Sequence, residues 1–585
     1  MSRHLSLRRR LILAAAPLAL TGLVLAGCAV QSSAASTTST TSTDDATTET
    51  ATVVDSDLSA TAVLAANADV TVVEDDEWSE ADAADISLDD TTASSDSDAV
   101  TVDGSTVTIT AAGVFRLSGS LDGQVVVAAP GDAQVVLILD DAEISASDSS
   151  AITVTSADDV AIFLADGSDN SVSDSSSYAD DAEANAAIYA DADLTISGTG
   201  TLEVSGNGND GIASTDDLVI LSGTITVAAV DDGLRGKDSL SVAGGTVEIT
   251  AGGDALKSDR TDDATQGFAA THCCAPVGAT SGDDGIATAT DAVITGGTVT
   301  LTARSDASTA DDSPKGISAA VVVALDGGEV SVDAVDDAVH SDGSVGIGGG
   351  TVTVASGDDG IHAEQRLEIR DGGVTVAESV EGLEATDVAI SGGTVDVTSS
   401  DDGINAASGT ASDTQGGGMG GGGEQDTGET LAISGGAVRV AAAGDGLDSN
   451  GSIAITGGST VVSGPSSAGG QGAVDSNGAI ALDGGELFVA GSVLVTPTGA
   501  QQWVAATASG SAGDTVEVSD AAGNVVATFA ADQSFGAVFY SGPAVADGAE
   551  YAIAVNGVSA ATVNEGVNVS GGMGGAGGGG GGRRP

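Results

Sequence analysis

The sequence contains few aromatic residues, few cysteines and few basic residues. Aromatic side chains make up 2% of the 585 residues, which is too few to fill several ordinary globular cores. The 16 basic residues are far outnumbered by 86 acidic ones, and the formal net charge is -70. A chain this acidic repels nucleic acid and anionic lipid headgroups, so we expect no nucleic-acid partner. This acidity favours divalent cations as partners. Solubility alone would explain the net charge but not the regular spacing of the acidic residues.

Long apolar runs are also missing, except near the N-terminus. There a basic segment, residues 3–10, precedes the apolar stretch 11–25, and Leu25-Ala26-Gly27-Cys28 follows. This order is typical of a bacterial lipoprotein signal peptide that is cleaved before a lipidated cysteine. The sequence therefore predicts a signal peptide over 1–27 and a lipid anchor at Cys28. We expect an extracytoplasmic protein, held on the outer face of the cytoplasmic membrane.

Low-complexity segments suggest how the rest of the chain is divided. Residues 28–94 are rich in Ser, Thr and Asp and are predicted to form a disordered tether. Glycine-rich sequences predict a loop at 411–428 and a disordered tail at 566–585. Between them lie a repeat region, 95–490, and a β-rich segment, 491–565. We expect that segment to cap the repeats, because exposed sheet edges aggregate.

An acidic tag recurs through the repeat region at nearly constant spacing. It reads Asp-Asp-Gly followed by an aliphatic residue, and its second acid falls at Asp210, Asp232 and Asp254, 22 residues apart. Such a period predicts a solenoid. Within each repeat, apolar and polar residues alternate as in strands, glycine pairs fall at the turns, and no helical period is present. We therefore predict an all-β fold, a right-handed parallel β-helix with about 22 residues per coil. An antiparallel sandwich is the alternative.

Two rows of residues follow from stacking the tags. The aliphatic residue should point into the core, which gives the row Ile212, Leu234, Leu256, Ile286, Ile317, Val339, Ile361, Leu383, Ile404 and Leu447. The next residue gives a second row, which we call the facing row: Ala213, Arg235, Lys257, Ala287, Ser318, His340, His362, Glu384, Asn405 and Asp448.

Stacked carboxylates require an explanation, because charges about 4.8 Å apart repel by roughly 1 kcal/mol per pair even in water. Calcium removes this repulsion and takes six to eight oxygen ligands. We predict Ca²⁺ as a cofactor, with ligands among Asp210, Asp231, Asp232, Asp254, Asp283, Asp284, Asp336, Asp337, Asp358, Asp359, Asp401 and Asp402. The alternative is that these aspartates accept hydrogen bonds from backbone amides in Asx-turns.

The scarce basic residues cluster beside the tags. Arg235 and Lys257 share one register on adjacent repeats, Lys237 is close in sequence, and His340 and His362 form a similar pair. This clustering predicts a binding site for an acidic glycan; the alternative is neutralisation of the neighbouring aspartates. The histidines also offer nitrogen ligands for a transition metal, although two ligands are weak evidence.

Cys273 and Cys274 are adjacent in an insertion between tags. Outside the cytoplasm they are expected to be oxidised, but a disulfide between neighbours departs from the usual geometry. Such a bond would rigidify the loop or join two molecules. We otherwise expect a monomer.

Two consecutive segments resemble a known family. DDGLRGK at 231–237 and GGDALKS at 252–258 are similar to the motif DDGIKGK followed by GGDGIKS of the bacterial carbohydrate-binding domain family of β-helical surface proteins. The glycine- and methionine-rich segment 416–423 and the tail add to this resemblance, which covers roughly residues 95–560. The resemblance implies a pectate-lyase-like parallel β-helix, bound calcium, and binding to plant-type polysaccharides such as cellulose or polygalacturonate. Arg235 and Ala255 depart from the motif.

The sequence thus predicts non-catalytic, calcium-stabilised binding of an extracellular polysaccharide at the bacterial cell surface. One alternative is a calcium-dependent polyuronate lyase, in which Arg235, Lys237 or Lys257 would abstract a proton. Another is a passive surface stalk or adhesin. With 2 tryptophans and 4 tyrosines to stack on sugars, acidic glycans are favoured over cellulose.

Overall fold

The computed structural model describes residues 57–567, apart from 180–181, 273, 305–312, 409–424, 467–471 and 493–495. The predicted all-β class is confirmed, with one sheet of 43 strands, a second sheet of 4 strands, the helix Ala60–Ala66 and the helical turn Glu80–Asp82. The predicted signal peptide, Cys28, Cys273 and most of both glycine-rich segments lie outside the described residues. Within the described ranges, no helix has the length and apolar character needed to span a membrane.

Most strands of the large sheet pair in parallel with the strand three positions further along the chain, so a typical repeat contributes three strands. The paired strands form three columns. The first column contains Thr106–Ile109, Gln124–Ala128, Ile152–Ser156, Ala186–Ala190, Asp210–Ser214, Leu234–Gly236, Leu256–Ser258, Ile286–Thr288, Ile317–Ala319, Val339–Ser341, Ile404–Ala406 and Leu447–Ser449. The second contains Ala84–Asp90, Gly113–Leu121, Gln134–Ser145, Asp159–Leu164, Asp193–Gly198, Asp217–Ile220, Ser239–Val242, Phe268–Thr271, Asp291–Ile294, Val322–Leu325, Ser344–Ile347 and Thr430–Ile433.

The third column contains Asp169–Ser173, Thr201–Gly206, Thr224–Ala229, Thr246–Ala251, Pro276–Ser281, Thr298–Ala303, Glu329–Ala334, Thr351–Ser356, Gly373–Glu378, Thr394–Ser399 and Ala437–Ala442. Long strands run from one column into the next: Ile361–Ile369 and Leu383–Ile390 join the first and second columns, and Ser452–Ser463 and Ile480–Gly491 join the second and third. Two antiparallel strands, Thr92–Ser94 and Val100–Asp103, flank the first repeats.

The register of the first column follows the spacing of the tags. Ile212 pairs with Leu234 and Leu234 with Leu256, each step covering 22 residues. Each member of the predicted core row, from Ile212 to Leu447, is at most 2% exposed. The prediction that the aliphatic residue of the tag builds the core is therefore confirmed, and it fixes which residues of the tag face outward.

Glycine is required where the chain turns between the second and third columns. Gly350 has a φ of +75°, and a Cβ added there would lie 2.6 Å from the carbonyl oxygen of Gly328 in the preceding repeat. A side chain would therefore meet both a strained backbone and a direct clash with the stacked turn. This close stacking explains why glycine pairs recur with the period of the tags.

The N-terminal part of the described chain corrects one prediction. Residues 57–94 were predicted to belong to a disordered tether, yet they are structured. Leu58, Ala60 and Val63 pack against outward-facing residues of the second column, including Val293 and Ala324. These few apolar side chains, spread through a polar segment, bury enough surface to order it. We call residues 57–80 the N-terminal strap.

The strap runs along the stack of repeats against the direction of the chain. The amide of Ala60 donates to Asp326 Oδ2 at 2.7 Å, and the amide of Thr71 donates to Asp217 Oδ2 at 2.8 Å. The amide of Val73 then donates to Thr195 Oγ1 at 3.0 Å. Later strap residues thus contact earlier repeats, and the strap covers part of the second column.

We expect Leu58→Ala to detach the start of the strap. Leu58 is 1% exposed. Its Cβ packs against Gly346, and a Cβ added to that glycine would lie 2.6 Å from the Leu58 Cβ. Truncation of a buried leucine costs about 2–5 kcal/mol, which should raise hydrogen exchange across residues 57–75. Thr61→Ala, at an exposed position of the same helix, should leave exchange unchanged. Equal protection in both variants would contradict the packing role of Leu58.

Parallel pairing ends at Ile480–Gly491. Phe535–Ser541 pairs with that strand and with Trp503–Gly510, in both cases antiparallel. The smaller sheet is antiparallel and contains Thr515–Asp520, Val525–Ala530, Glu550–Val555 and Val558–Asn564. An aromatic cluster joins the two sheets, with the ring of Phe488 centred 4.7 Å from those of Phe529 and Tyr540.

Candidate cation and glycan site

The second acidic position of each tag lies immediately before the first column of strands. We call this set the acidic column: Asp210, Asp232, Asp254, Asp284, Asp337, Asp359, Glu381, Asp402 and Asp445. Its side chains are largely withdrawn from solvent, since Asp210 is 2%, Asp254 5% and Asp337 4% exposed. The first acid of the tag stays nearer the surface: Asp231, Asp283, Asp358 and Asp401 are exposed, and Asp336 is half-buried.

One oxygen of each buried aspartate bonds the backbone of the following repeat. The amide of Asp232 donates to Asp210 Oδ1 at 3.2 Å, that of Asp254 to Asp232 Oδ1 at 3.0 Å, and that of Asp359 to Asp337 Oδ1 at 3.1 Å. These bonds connect repeats rather than closing an Asx-turn within one. The aspartates therefore do accept hydrogen bonds from backbone amides, as the alternative to calcium binding predicts, but between repeats. These bonds engage Oδ1, while Oδ2 faces the lysines and histidines where these are present.

Two predicted calcium-binding groups already contain a lysine ammonium. Lys257 Nζ lies 3.0 Å from Asp232 Oδ2 and 2.8 Å from Asp254 Oδ2. Lys315 pairs with Asp336 and lies 3.5 Å from Asp337 Oδ2. Burial alone would lower the pKa of Lys257, but the charges of Asp254 and Asp232 raise it above its usual value. Neutralisation of aspartates by neighbouring lysines thus accounts for these two places.

Arg235 and Lys257 are register neighbours, as predicted, but they bind different carboxylates. Arg235 Nη2 lies 2.6 Å from Asp259 Oδ2, and its Nε donates to the same oxygen at 3.2 Å. Lys237 is half-buried, and among the described residues no acid lies within ion-pair distance of its ammonium group. Of the three predicted cations, Lys237 is therefore the one left available for an external anion.

Carboxylates gather where the facing row contains alanine instead of a basic residue. Asp210 stands beside Ala213, and one carboxylate oxygen from each of Asp210, Asp231 and Asp232 falls within 4.8 Å of the others. Burial, together with the charges of Asp232 and Asp231, raises the pKa of Asp210 to about 7. A buried carboxylate that holds its proton near neutral pH lacks a cation.

A second such cluster lies on the other side of Lys257. Asp254, Asp283 and Asp284 also bring carboxylate oxygens within 4.8 Å of one another, beside Ala287. Burial raises the pKa of Asp284 to about 7, although its hydrogen bond from the Lys315 amide opposes the shift. The two clusters therefore flank the Arg235 and Lys257 pair along the column.

Acidic residues oppose each other again towards the C-terminal repeats. Burial and the neighbouring Glu381 and Asp359 raise the pKa of Glu384 to about 10. Burial likewise raises the pKa of Asp402 to about 6 and that of Asp448, beside Asp402, to about 7. Here the facing row itself is acidic or neutral, so no facing cation opposes these upward pKa shifts.

The two histidines of the facing row pair in register and contact the acidic column. His340 Nδ1 lies 2.8 Å from Asp337 Oδ2, and His362 Nδ1 lies 3.2 Å from Asp359 Oδ2. Burial alone would lower the pKa of His362, but Asp359 and Asp337 raise it above the usual value. The predicted adjacency of His340 and His362 is confirmed.

Comparison with known proteins places this geometry in a family. A model described as "Carbohydrate-binding domain-containing protein" matches residues 103–360 and 349–492. The chain belongs to this family. The resemblance noted in segments 231–237 and 252–258 is thereby confirmed.

Two known proteins are similar to this chain. A carbohydrate-binding domain-containing protein of Acetivibrio thermocellus is 34% identical over 137 residues, which are 23% of this chain and 48% of the relative. The chain thus spans about half the length of that curated relative. A solved structure, described as the polysaccharide lyase-like protein from C. thermocellum in a gadolinium derivative, is 28% identical. The match covers 50% of this chain and 96% of that one, with a TM-score of 0.33.

Several residues of the site were not among the predicted ones. Lys315 stands where other tags of this chain have the second aspartate, and Glu384 and Asp448 belong to the facing row. Their positions follow from the spacing of the tags, but none of the three belongs to an Asp-Asp pair. Asp259, which neutralises Arg235, lies in an insertion without periodicity, so no sequence signal pointed to it.

Proposed function

We propose that this chain binds an extracellular acidic polysaccharide without catalysis, stabilised by calcium and held at the bacterial cell surface by a lipid at Cys28. Membership of the carbohydrate-binding family supports the binding of polysaccharide. The observation that carries the rest is the pair of carboxylate clusters, around Asp210 and around Asp284, on either side of Arg235 and Lys257. They combine sites for a divalent cation with Lys237, two residues beyond Arg235, whose ammonium group has no ion-pair partner among the described residues.

We further propose that the columns form a right-handed parallel β-helix. Support comes from the parallel pairing of successive repeats in all three columns and from the shift of 22 residues between them. Connections between parallel strands in one sheet are nearly always right-handed, because the strands twist to the right. In such a coil the acidic tags would run along one edge, where their exposed first acids would face a long polymer.

Calcium fits the donor atoms of the two clusters. Asp210, Asp231 and Asp232 offer only oxygen, and Asp254, Asp283 and Asp284 do the same. Calcium prefers carboxylate and carbonyl oxygen and tolerates irregular geometry. Bound there it would supply the positive charge that Ala213 and Ala287 do not. The pair Asp401 and Asp402 would take part in a further site near Asp445.

The environment of the basic residues disfavours the lyase alternative. A general base must be able to lose its proton near the working pH. Lys257 sits between two carboxylates. Burial would lower the pKa of Arg235, but its hydrogen bond to Asp259 and the charge of that carboxylate leave the pKa above its usual value. Both groups therefore stay protonated and suit binding of an anion better than abstraction of a proton.

The proposal predicts calcium-dependent retention on polygalacturonate. Affinity electrophoresis of the mature chain should show retardation by polygalacturonate with calcium, and much less with chelator or with neutral cellulose derivatives. Lys237→Ala should weaken binding about tenfold, as expected for loss of one charge-assisted contact. The matched control is Arg304→Ala, which removes an exposed cation paired with Asp333.

Each outcome has a distinct meaning. Unchanged mobility with every glycan tested would contradict binding and favour a passive stalk. Release of unsaturated, ultraviolet-absorbing products from polygalacturonate would contradict the absence of catalysis. Calcium-independent binding would contradict the role of the carboxylate clusters.

A further inference from the structure

The histidine pair differs chemically from the rest of the acidic column. Asp337, His340 and His362 each bring one ligand atom to a common place, within 4.8 Å of one another. The imidazole rings of His340 and His362 have centroids 5.0 Å apart and meet edge to face. Both Nδ1 atoms approach Asp337 Oδ2, at 2.8 Å from His340 and 3.7 Å from His362.

We propose that Asp337, His340 and His362 form a binding site for a divalent transition-metal ion of the zinc class, separate from the calcium clusters. Imidazole nitrogen with carboxylate oxygen is a donor set that zinc and its neighbours prefer. Calcium takes oxygen almost exclusively, so it competes poorly at this place. Of the three ligands, only Asp337 is also among the predicted calcium ligands.

The spacing of the ligand atoms suits such an ion. Zinc bonds to nitrogen and oxygen are about 2.0–2.2 Å long, so two tetrahedral ligands lie about 3.3 Å apart. The contacts of Asp337 Oδ2, at 2.8 Å and 3.7 Å, bracket this separation. Small shifts of the two rings would equalise them. The metal would replace the proton now shared between His340 Nδ1 and Asp337 Oδ2.

The far side of each ring faces a further carboxylate. His340 Nε2 lies 3.2 Å from Asp342 Oδ1, and His362 Nε2 lies 4.0 Å from Glu364 Oε1. The His340 contact matches the carboxylate–histidine–metal arrangement, in which the outer carboxylate fixes the tautomer and makes the ligating nitrogen more basic, whereas Glu364 lies beyond hydrogen-bond distance of His362. Asp337 is oriented too, because its Oδ1 accepts the amide of Asp359 at 3.1 Å.

A fourth ligand and access to solvent are both available. Asp359 Oδ2 lies 3.2 Å from His362 Nδ1 on the same side as Asp337. The side chains of His340 and His362 remain 15% and 19% exposed, so an ion can enter. Water or an oxygen of a bound polysaccharide would complete the coordination.

The competing explanation is that protonated histidines, together with Lys315 at 3.5 Å from Asp337 Oδ2, simply neutralise Asp337 and Asp359. The two explanations differ in what they predict for metal binding in the presence of calcium. Equilibrium dialysis of the mature chain with zinc chloride and excess calcium should find one tightly held zinc ion. Cobalt(II) bound in its place should show the intense absorption of a four-coordinate site with nitrogen ligands.

Variants separate the site from general effects on folding. The double variant His340→Gln/His362→Gln should lose the zinc, whereas His272→Gln, at a buried histidine elsewhere, should retain it. Asp342→Asn keeps every direct ligand and should weaken zinc binding about tenfold, as outer-shell carboxylates do. Circular dichroism identifies a variant that has not folded.

The proposal would be overturned by absence of bound zinc in the unmodified chain under excess calcium. Retention of zinc by the folded double variant would overturn it equally, and so would a weak, six-coordinate cobalt spectrum. None of these results bears on polygalacturonate binding, which is measured with calcium alone.

Discussion

Replacement of Lys257 by methionine is expected to lower the free energy of unfolding by about 3 kcal/mol. Methionine keeps the apolar length of the side chain but leaves Asp232 and Asp254 facing each other without a cation. Both carboxylates are almost fully withdrawn from solvent, with side chains 6% and 8% exposed. The uncompensated pair is costly because buried like charges are weakly screened. Urea unfolding followed by circular dichroism, in chelator at pH 7.5, measures the change.

The exposed pair Arg304 and Asp333 provides the matched control. Their side chains are 54% and 48% exposed, so Arg304→Met should change stability by less than about 1 kcal/mol. Added calcium should restore part of the stability of the Lys257 variant, because an ion can replace the ammonium group. Equal effects of the two substitutions would show that Lys257 acts as an ordinary surface charge.

Without divalent cations, we expect the protein to become more stable as the pH is lowered from 8 to 5. The pKa of Asp210 and that of Asp284 are each raised by burial from 3.8 to about 7, and Asp448 is raised to the same value. A carboxyl group with a raised folded-state pKa contributes stability that is fully present below its unfolded-state pKa and is lost as the pH rises through its folded-state pKa. The gain on acidification therefore falls between about pH 8 and pH 4.

Most other groups either reinforce this trend or act outside its range, and His272 opposes it, because burial lowers the pKa of its imidazole and favours the neutral ring. The raised pKa of His362 adds stability in the same direction, because the ring is charged by its carboxylate neighbours as the pH falls. The pKa of Asp337 is lowered: burial would raise it, but His340 and Lys315 outweigh burial, so its contribution is lost only below pH 3.8. Glu384, with a pKa of about 10, stays protonated throughout.

Melting temperatures measured from pH 8 to pH 5 test the prediction. In chelator the melting temperature should rise by several degrees on acidification, and saturating calcium should flatten the curve by stabilising the ionised clusters at pH 8. Asp284→Asn is the matched variant, because asparagine keeps an oxygen for the Lys315 amide and cannot ionise. In this variant the melting temperature should rise less on acidification. A melting temperature that falls towards pH 5 in chelator would contradict the uncompensated clusters.

The periodic part of the molecule could be predicted well from the sequence. The tag fixed the register of Ile212, Leu234 and Leu256, and the same spacing brought His340 beside His362. A repeat sets each neighbour one period away, so contacts follow from counting residues. The rows of the site were predictable for this reason, as was the alternation of alanine and charged residues along them.

Contacts outside the period could not be predicted in this way. Arg235 binds Asp259, which lies in an insertion, and the N-terminal strap bonds residues more than 100 positions away, such as Thr195 and Asp326. The strap contains one short helix, Ala60–Ala66, and lacks the period of the tags. Its position on the second column depends on tertiary burial, which a local pattern does not reveal.

The strap also determines how the molecule would stand on a membrane. Its first described residues lie beside Asp326 and Gly346, midway along the repeats, rather than at an end. If Cys28 bears a lipid, the 29 residues 28–56 would connect the bilayer to the flank of the stack, over at most about 100 Å. The protein would then lie alongside the surface and pivot about its middle. A stalk needs attachment at one end; side attachment would instead let the whole acidic edge follow a polymer parallel to the cell.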